Sequence, residues 1–309
     1  MNFKNIIGND NNKNLLNEII KSNNISHSYM FLGISGIGKL LFAKEFAKAI
    51  LCEEQIGCSK CKSCIEFEGL NNPDFQIIEP EESSIKIEQI RKMSNKIYEK
   101  PIISKRKVYI INNADLMTLD AQNCLLKTLE EPPEYAVIIL IGTNEDIFLN
   151  TIRSRCVKIN FNKIGDEELK DILISKYEYS NISENMLKLF SGSLGKAINL
   201  KDKENIYVEI EEIFSNIENI NIIDLLNKKE IIIKNKDEII NILEYINVLF
   251  FDKLKQADNK NRYIHAIQVV EDTKDRIKKN ANLDMTIDNL LMNLWEKGVL
   301  YEKYSRRKI

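Results

Sequence analysis

Short, almost continuous apolar runs alternate with helix-length amphipathic stretches along the first half of the chain. Such runs are typical of strands that are buried on both faces, as in a parallel sheet. The stretches between them include residues 41–51, 87–98 and 121–131, and two prolines, Pro132 and Pro133, end the last one. The five predicted strands cover residues 29–32, 75–78, 108–111, 136–141 and 157–161.

This alternation predicts an α/β domain with a parallel five-stranded sheet over residues 1–161. Beyond residue 161 the strand pattern disappears, and apolar residues recur at three- and four-residue spacing, which indicates helices only. A break that contains glycine and serine at residues 191–195 divides this half. We therefore expect two all-α domains, a small one at residues 162–204 and a longer bundle at residues 205–309.

Composition narrows the classes of function. The chain has 309 residues, enough for two or three domains of about 150 residues each. With 44 Lys+Arg against 46 Asp+Glu the net charge is -2, which excludes a strongly basic protein that coats DNA. The sequence contains neither a recognisable apolar leader nor a long uncharged apolar segment, so we expect a cytoplasmic protein whose thiols are reduced.

A glycine-rich segment, Gly-Ile-Ser-Gly-Ile-Gly-Lys at residues 33–39, follows the first predicted strand and precedes a predicted helix. In this context glycines let backbone N–H groups surround a phosphate, and the lysine reaches the β- and γ-phosphates. The next position normally carries a Ser or Thr that ligates Mg²⁺, but here it is Leu40, which offers no ligand atom. The candidate nucleotide-binding residues are Gly33, Gly36, Gly38 and Lys39.

The second Mg²⁺ position is altered too. In an intact site an apolar strand ends in acidic residues, yet the strand at 108–111 is followed by Asn112 and Asn113. Amides cannot replace a carboxylate on Mg²⁺ or activate the attacking water. Asp115 is an alternative ligand, but we interpret it as a cap of the helix that follows. We therefore predict no Mg²⁺ site and no ATP turnover by this chain alone, whereas weak nucleotide binding through the loop stays compatible with the sequence.

Four cysteines follow the helix after the glycine-rich segment in the pattern C-x5-C-x2-C-x2-C. Four thiolates so close in sequence can complete a tetrahedral shell around Zn²⁺, with Lys60 and Lys62 offsetting part of the charge, and such a closed shell is structural. A reducing compartment argues against disulfides, and the lack of a redox context argues against an iron–sulfur cluster. Cys124 and Cys156 are interpreted as small buried core residues. The candidate zinc ligands are Cys52, Cys58, Cys61 and Cys64.

Arg155 lies in the segment Ser154-Arg155-Cys156, just before the last predicted strand. On composition alone, an arginine there is solvated or paired with a local carboxylate. Its position in a phosphate-loop domain favours another role, because in oligomeric ATPases an arginine from a neighbouring subunit stabilises the charge on the γ-phosphate. A chain that cannot hydrolyse ATP could activate its neighbour in this way.

Several motifs of the α/β half belong together. They are His27-Ser28-Tyr29-Met30-Phe31 before the glycine-rich segment, the four-cysteine insert, Leu125-Leu126-Lys127-Thr128-Leu129-Glu130-Glu131-Pro132-Pro133, and Ser154-Arg155-Cys156. Together they resemble the bacterial clamp-loader AAA+ family of DNA polymerase III. The resemblance covers the whole α/β domain and continues more weakly through residues 192–197, 280–282 and 289–291.

The resemblance implies an AAA+ domain with a zinc-binding insert, a helical lid, and a helical collar that joins a hetero-pentameric ring. The implied partners are gamma/tau and delta subunits, the sliding clamp and primer-template DNA, so the chain would be a non-hydrolysing part of a DNA-directed DNA polymerase, a nucleotidyltransferase. Arg155 would be an arginine finger in the ATP site of the adjacent gamma/tau subunit, and Thr143 and Asn144 would belong to the sensor 1 region. Motor subunits of the family carry a sensor 2 arginine where this chain has Lys196.

Two alternatives stay open on the sequence. One is an ATP-hydrolysing, gamma/tau-like motor subunit of the same family, and Asn112 and Asn113 count against it. The other is an independent zinc-dependent nucleic-acid-binding protein, which would need a basic face that the balanced charge does not indicate. The sequence favours the non-hydrolysing loader subunit, in which any DNA contacts would be to phosphates and shared across the ring.

Overall fold

The computed structural model describes residues 1, 3, 6–180, 182–217, 220–257 and 260–295. The chain divides into two compact units, the first comprising residues 1–164 with 193–196 and the second comprising residues 165–192 and those from 197 onward. The predicted boundary between lid and collar at residue 204 falls inside the second unit and stays a prediction. Residues 296–309 of the predicted collar lie outside the described residues.

The first unit is built on a parallel sheet in the order β2-β3-β4-β1-β5. Its five strands are β1 Ser28–Leu32, β2 Phe75–Ile78, β3 Lys107–Ile111, β4 Ala136–Gly142 and β5 Val157–Asn160. Strands β1, β3 and β4 are buried along their whole length, whereas β2 and β5 form the partly exposed edges. The predicted parallel five-stranded sheet is confirmed, and each predicted strand end lies within about one residue of the observed one.

Helices cover both faces of this sheet. They are α1 Asp10–Lys21, α2 Lys39–Leu51, α3 Lys62–Glu68, α4 Ile87–Ile97, α5 Leu119–Glu130 and α6 Asn150–Arg153. Because successive side chains of a strand point to opposite faces, neighbouring residues of β1 enter different cores. Phe31 belongs to a core shared with Phe42 of α2. Met30 belongs to the opposite core, with Met93 of α4 and Leu125 of α5.

The described residues of the second unit form helices joined by turns and loops, without a strand, as the sequence predicts. Its core includes Tyr207 and Tyr245, whose ring centroids are 5.3 Å apart, and the Tyr245 hydroxyl donates a hydrogen bond of 2.6 Å to Glu211. In the described part of the chain no helix combines the length and the apolar character that crossing a bilayer requires. Helix α9, Leu194–Leu200, begins in the first unit and ends in the second. The other helices are α7 Asp166–Tyr177, α8 Glu184–Phe190, α10 Glu204–Ser215, α11 Ile222–Asn227, α12 Lys229–Lys234, α13 Ile239–Gln256, α14 Lys260–Lys278 and α15 Leu283–Asn293.

Candidate functional site

The glycine-rich segment is a tight loop between the end of β1 and the start of α2. Gly36 has φ 76° and Gly38 has φ 92°, left-handed conformations that residues with a Cβ rarely adopt. The first turn of α2 begins directly at Lys39, so its free backbone N–H groups lie at the loop, as the sequence predicts for a phosphate loop. The local geometry of a phosphate-binding loop is therefore present.

Lys39 closes this loop on itself. Its ammonium group donates hydrogen bonds to the backbone oxygens of Gly33, at 2.5 Å, and Ile34, at 2.7 Å. The side chain is buried, and burial lowers the pKa of Lys39 to about 8, although the charge of Asp115 acts in the opposite direction. A phosphate entering the loop would have to compete with these two carbonyl groups for the lysine.

A short segment of the first unit, residues 193–196, packs on the phosphate loop. The backbone N–H of Gly195 donates a hydrogen bond of 2.8 Å to the backbone oxygen of Gly36. The Ser193 hydroxyl oxygen lies 2.3 Å from the position that a Cβ at residue 36 would take, so only glycine fits there. This segment contains Lys196, at the position of the sensor 2 arginine in the resemblance.

The two positions that normally hold Mg²⁺ lack their usual hydroxyl and carboxylate ligands. The Leu40 side chain packs against the apolar core under β1. The Asn112 side chain donates a hydrogen bond of 3.1 Å to the Glu79 carboxylate, and Asn113 adopts a left-handed backbone conformation with φ 50° and caps nothing with its side chain. Neither a hydroxyl at residue 40 nor a carboxylate at the end of β3 is available to a metal ion.

The interpretation of Asp115 as a helix cap is wrong. The cap of α5 is Thr118, whose hydroxyl accepts a hydrogen bond of 3.2 Å from the N–H of Ala121. Asp115 instead accepts hydrogen bonds from the Thr143 N–H, at 3.1 Å, and from the Thr143 hydroxyl, at 2.5 Å. Asp115 follows β3 and Thr143 follows β4, and these two strands are neighbours in the sheet. Residues that follow neighbouring parallel strands meet at one edge of the sheet, which explains why the two side chains pair.

The predicted sensor residues are thus engaged locally. Thr143 is bound to Asp115, whose charge acts on Lys39, so these three residues share one electrostatic environment beside the phosphate loop. The side-chain oxygen of Asn144 accepts a hydrogen bond of 2.9 Å from the N–H of Asp146 and caps the short turn that follows. A role for Thr143 and Asn144 in nucleotide binding stays a prediction.

Arg155 lies between α6 and β5, away from the phosphate loop along the chain, and has a local carboxylate partner. Its guanidinium donates hydrogen bonds to Glu130, at 2.9 Å, and to the backbone oxygen of Thr151, at 2.8 Å. About one third of its side chain is exposed. The local partner is one of the two alternatives that the sequence left open, and the finger role stays a prediction.

The four cysteines converge on one point. All four sulfur atoms lie within 4.8 Å of one another, and those of Cys52 and Cys61 are 4.0 Å apart. A tetrahedral zinc site with bonds of 2.3 Å has sulfur atoms about 3.8 Å apart, so small shifts would complete the shell. Cys124 and Cys156 lie elsewhere, partly buried against the core under α5.

The electrostatics of this cysteine module suit a cation. The backbone N–H groups of Cys58 and Cys61 point at the sulfur atoms of Cys52 and Cys58, at 3.4 and 3.3 Å. Burial opposes ionisation of Cys52, but backbone N–H groups outweigh it and hold its pKa below the usual range. Burial and the neighbouring sulfur atoms raise the pKa of Cys64, and a cation among the four sulfur atoms would favour its thiolate.

Sequence reasoning missed one residue of the module, Lys48. This lysine of α2 is almost fully buried and donates hydrogen bonds to the Ser59 hydroxyl, at 2.8 Å, and to Glu68, at 2.6 Å. It thus ties the cysteine loop to α2 on one side and to α3 on the other. The sequence gives one indication of this role: Lys48 stands between Ala47 and Ala49 in a helix that is buried on most sides, and a lysine buried in this way needs partners.

Fold and site together define a class: an α/β domain of the phosphate-loop kind with altered metal positions and a four-cysteine module after its loop helix. The family model described as DNA polymerase III, delta subunit, matches residues 8–165, just over half of the chain. The chain therefore belongs to this family of DNA polymerase III clamp-loader subunits.

Curated relatives carry corresponding names. The delta' subunit of DNA polymerase III from Bacillus subtilis is 35% identical over 179 residues, which are 57% of this chain and 53% of the relative. The delta' subunit from Pseudomonas aeruginosa is 35% identical over 138 residues, 43% of this chain and 42% of the relative. The gamma/tau subunit from Mycoplasma genitalium is 30% identical over 307 residues, 92% of this chain and 51% of the relative. The chain thus spans about half the length of these relatives.

Proposed function

We propose that this chain is a delta'-type subunit of a clamp loader, one that does not hydrolyse ATP and activates an adjacent ATPase subunit. Its partners would be gamma/tau and delta subunits in a hetero-pentamer that places a sliding clamp on primer-template DNA. Membership of the family and the two delta' relatives support the loader role. The cysteine module would hold one structural Zn²⁺.

One observation carries the non-hydrolysing part of the proposal. Leu40 packs, partly buried, against the apolar core, and the Asn112 amide donates a hydrogen bond to Glu79, so both Mg²⁺ positions lack their usual hydroxyl and carboxylate ligands. Without Mg²⁺ the charge that develops on the β- and γ-phosphates is not neutralised. With Asn112 and Asn113 in place of the usual acidic pair directly after β3, no carboxylate at those positions orients the attacking water. Nucleotide binding, if it occurs, would be weak, since Lys39 is already paired with loop carbonyls.

Activation in trans would rest on Arg155. A guanidinium supplied to a neighbour's γ-phosphate raises the rate of phosphoryl transfer by about 10³ to 10⁵. Arg155 is partly exposed at the end of α6 and keeps N–H groups that its two local hydrogen bonds do not use. Its charge could therefore reach another subunit without first leaving a buried site.

The test is ATP turnover by a reconstituted loader, stimulated by clamp and primed DNA, with substitutions in this chain only. We expect Arg155→Ala to reduce turnover by at least about 100-fold and Lys39→Ala to leave it within about twofold of wild type. The matched control is Arg153→Ala, since Arg153 is paired with Asp146 of the short turn that precedes α6. Loss of turnover with Lys39→Ala but not with Arg155→Ala would reject the proposal.

The second candidate is a gamma/tau-like motor subunit. The observation in its favour is the length of the match to the Mycoplasma genitalium gamma/tau subunit, which extends over 92% of this chain. The turnover experiment separates the two candidates, because a motor depends on its own Lys39. ATP hydrolysis by the purified chain alone, abolished by Lys39→Ala, would establish the motor.

A further inference from the structure

The guanidinium of Arg155 is held by a residue that terminates another helix. Glu130 is the last residue of α5, and the helix cannot continue because Pro132 and Pro133 follow. The backbone of Glu130 therefore lies at the end of a helix that packs on the core through Leu125 and Leu129. Its Oε1 atom accepts the hydrogen bond from Nη2 of Arg155 at 2.9 Å across 25 residues of sequence.

Two further contacts fix the rest of the arginine. Nη1 donates to the backbone oxygen of Thr151 at 2.8 Å, within the same turn of chain. The backbone oxygen of Arg155 itself accepts a hydrogen bond of 2.6 Å from the hydroxyl of Ser28, a fully buried residue at the start of β1. Main chain and guanidinium are thus attached to three separate parts of the first unit.

These contacts use only some of the N–H donors of Arg155. A guanidinium has five N–H donors, and the two hydrogen bonds leave three of them for an anion. The ion pair is half-exposed, and pairs of that kind add little to fold stability. Its main physical effect is to select one orientation of a side chain that otherwise samples many rotamers.

The neighbouring arginine shows the contrast. Arg153 pairs with Asp146 at 3.0 Å and with the side chain of Asn150, both from the short segment that precedes it. None of these contacts comes from a helix elsewhere in the fold. Only Arg155 of the two is oriented by a distant element.

We infer that Glu130 is a positioning residue for Arg155: it orients the guanidinium in advance so that its unused N–H groups meet the γ-phosphate of the adjacent subunit. This inference rests on the proposed function. A donor that is already oriented needs no reorganisation during phosphoryl transfer. It therefore raises the rate of the chemical step and leaves the affinity for ATP unchanged.

The first experiment uses the reconstituted loader with Glu130→Gln in this chain and Glu131→Gln as the matched control, since the Glu131 side chain is exposed. We expect Glu130→Gln to lower kcat for ATP about tenfold and to change KM less than about twofold. A misoriented Arg155 slows the phosphoryl-transfer step but does not weaken ATP binding. Glu131→Gln should match wild type. An unchanged or increased kcat with Glu130→Gln, where Arg155→Ala abolishes turnover, overturns the inference.

The second experiment uses the isolated full-length chain and does not depend on the proposed function. Phenylglyoxal labelling of Arg155, followed by mass spectrometry, should be several-fold faster in Glu130→Gln than in Glu131→Gln, with Arg153 labelled equally in both. Equal labelling of Arg155 in the two variants overturns the inference. If Arg155→Ala leaves loader turnover unchanged, the proposed function fails and the labelling alone decides whether Glu130 holds the arginine.

Discussion

Lys39 shows how a phosphate-loop residue behaves when it is satisfied by its own loop. The ammonium group is buried between two backbone oxygens, and burial brings its pKa to about 8 from an ordinary value of 10.5. Below pH 8 the folded and unfolded chains both carry the proton, and the folded state bears the full cost of the buried charge. Between pH 8 and 10.5 the folded state releases the proton first, so stability rises with pH in that window.

We therefore predict that the free energy of unfolding of wild type, relative to that of Lys39→Met, increases between pH 7.5 and 10.5. The pKa difference corresponds to an increase on the order of 3 kcal/mol. Urea unfolding of both proteins at several pH values measures it, and the subtraction removes the titration of other lysines and tyrosines. A difference that does not change with pH would show that the lysine is not buried as a charge.

At the residue scale, the sequence predicts the missing Mg²⁺ ligands better than it predicts the side-chain contacts of Asp115 and Lys48. Leu40 has no ligand atom for Mg²⁺ in any conformation, and Asn112 offers only a neutral amide where a carboxylate is usual, so both losses follow from residue type alone. Asp115 is different, because its carboxylate can cap a helix or bind a neighbouring strand end, and only the pairing of β3 with β4 decides between these. Lys48 escapes prediction because its partners are distant in sequence: Ser59 lies within the cysteine loop and Glu68 in α3.

At the scale of elements, one carboxylate holds the start of β2 to the loop before β3. Asp74 is 1% exposed, and its two oxygens accept hydrogen bonds of 2.8, 2.8 and 2.7 Å from the N–H groups of Ile102, Ile103 and Ser104. Ser104 in turn contacts Ser63 of α3 at 2.8 Å. The loop thus connects the sheet edge to the cysteine module.

We predict that Asp74→Asn lowers the free energy of unfolding by about 3 kcal/mol, because an amide has one acceptor oxygen and turns an NH₂ group toward buried donors. Chemical denaturation measures the loss. Glu82→Gln, at an exposed position, is the control and should stay within about 0.5 kcal/mol of wild type. Equal stability of the two variants would mean that the loop is held by other contacts.

The cysteine module leads to a prediction about zinc content and thermal stability. Protein purified without chelator should contain about one zinc per chain, and removing the metal or introducing Cys58→Ser should lower Tm by roughly 5–10 °C, because the loop loses its cross-link. Metal analysis and thermal unfolding measure the two effects. Cys124→Ser, outside the cluster, should retain the zinc. Full stability of metal-free protein would contradict a structural role.

The sequence predicts the ends of an element accurately where its hydrophobic pattern fits only one type of secondary structure. The buried strands have continuous apolar runs, and α5 has both a helical pattern and a proline stop, so their ends follow from local chemistry. The docking of residues 193–196 on Gly36 has no such local signal. It depends on two segments that lie far apart in the sequence.

At the scale of the whole molecule, charge separates the loader subunit from an independent nucleic-acid-binding protein. The net charge of the chain is -2, whereas binding to duplex DNA is driven mainly by lysines and arginines that displace counterions. Our proposed function assigns DNA contact to the assembled loader. From the net charge we expect the isolated chain to have little electrostatic attraction to DNA.

We therefore predict that the isolated chain binds fluorescent primer-template DNA with a Kd no tighter than about 10⁻⁵ M at 150 mM salt, and that adding zinc does not tighten it. The reconstituted loader with ATP and clamp should bind the same DNA at least about 100-fold more tightly, because several subunits then contact the phosphates together. Fluorescence anisotropy across a salt series measures both, and the slope of log Kd against log salt counts the phosphates engaged. A steep slope and tight binding by the isolated chain would favour the independent nucleic-acid-binding protein over the loader subunit.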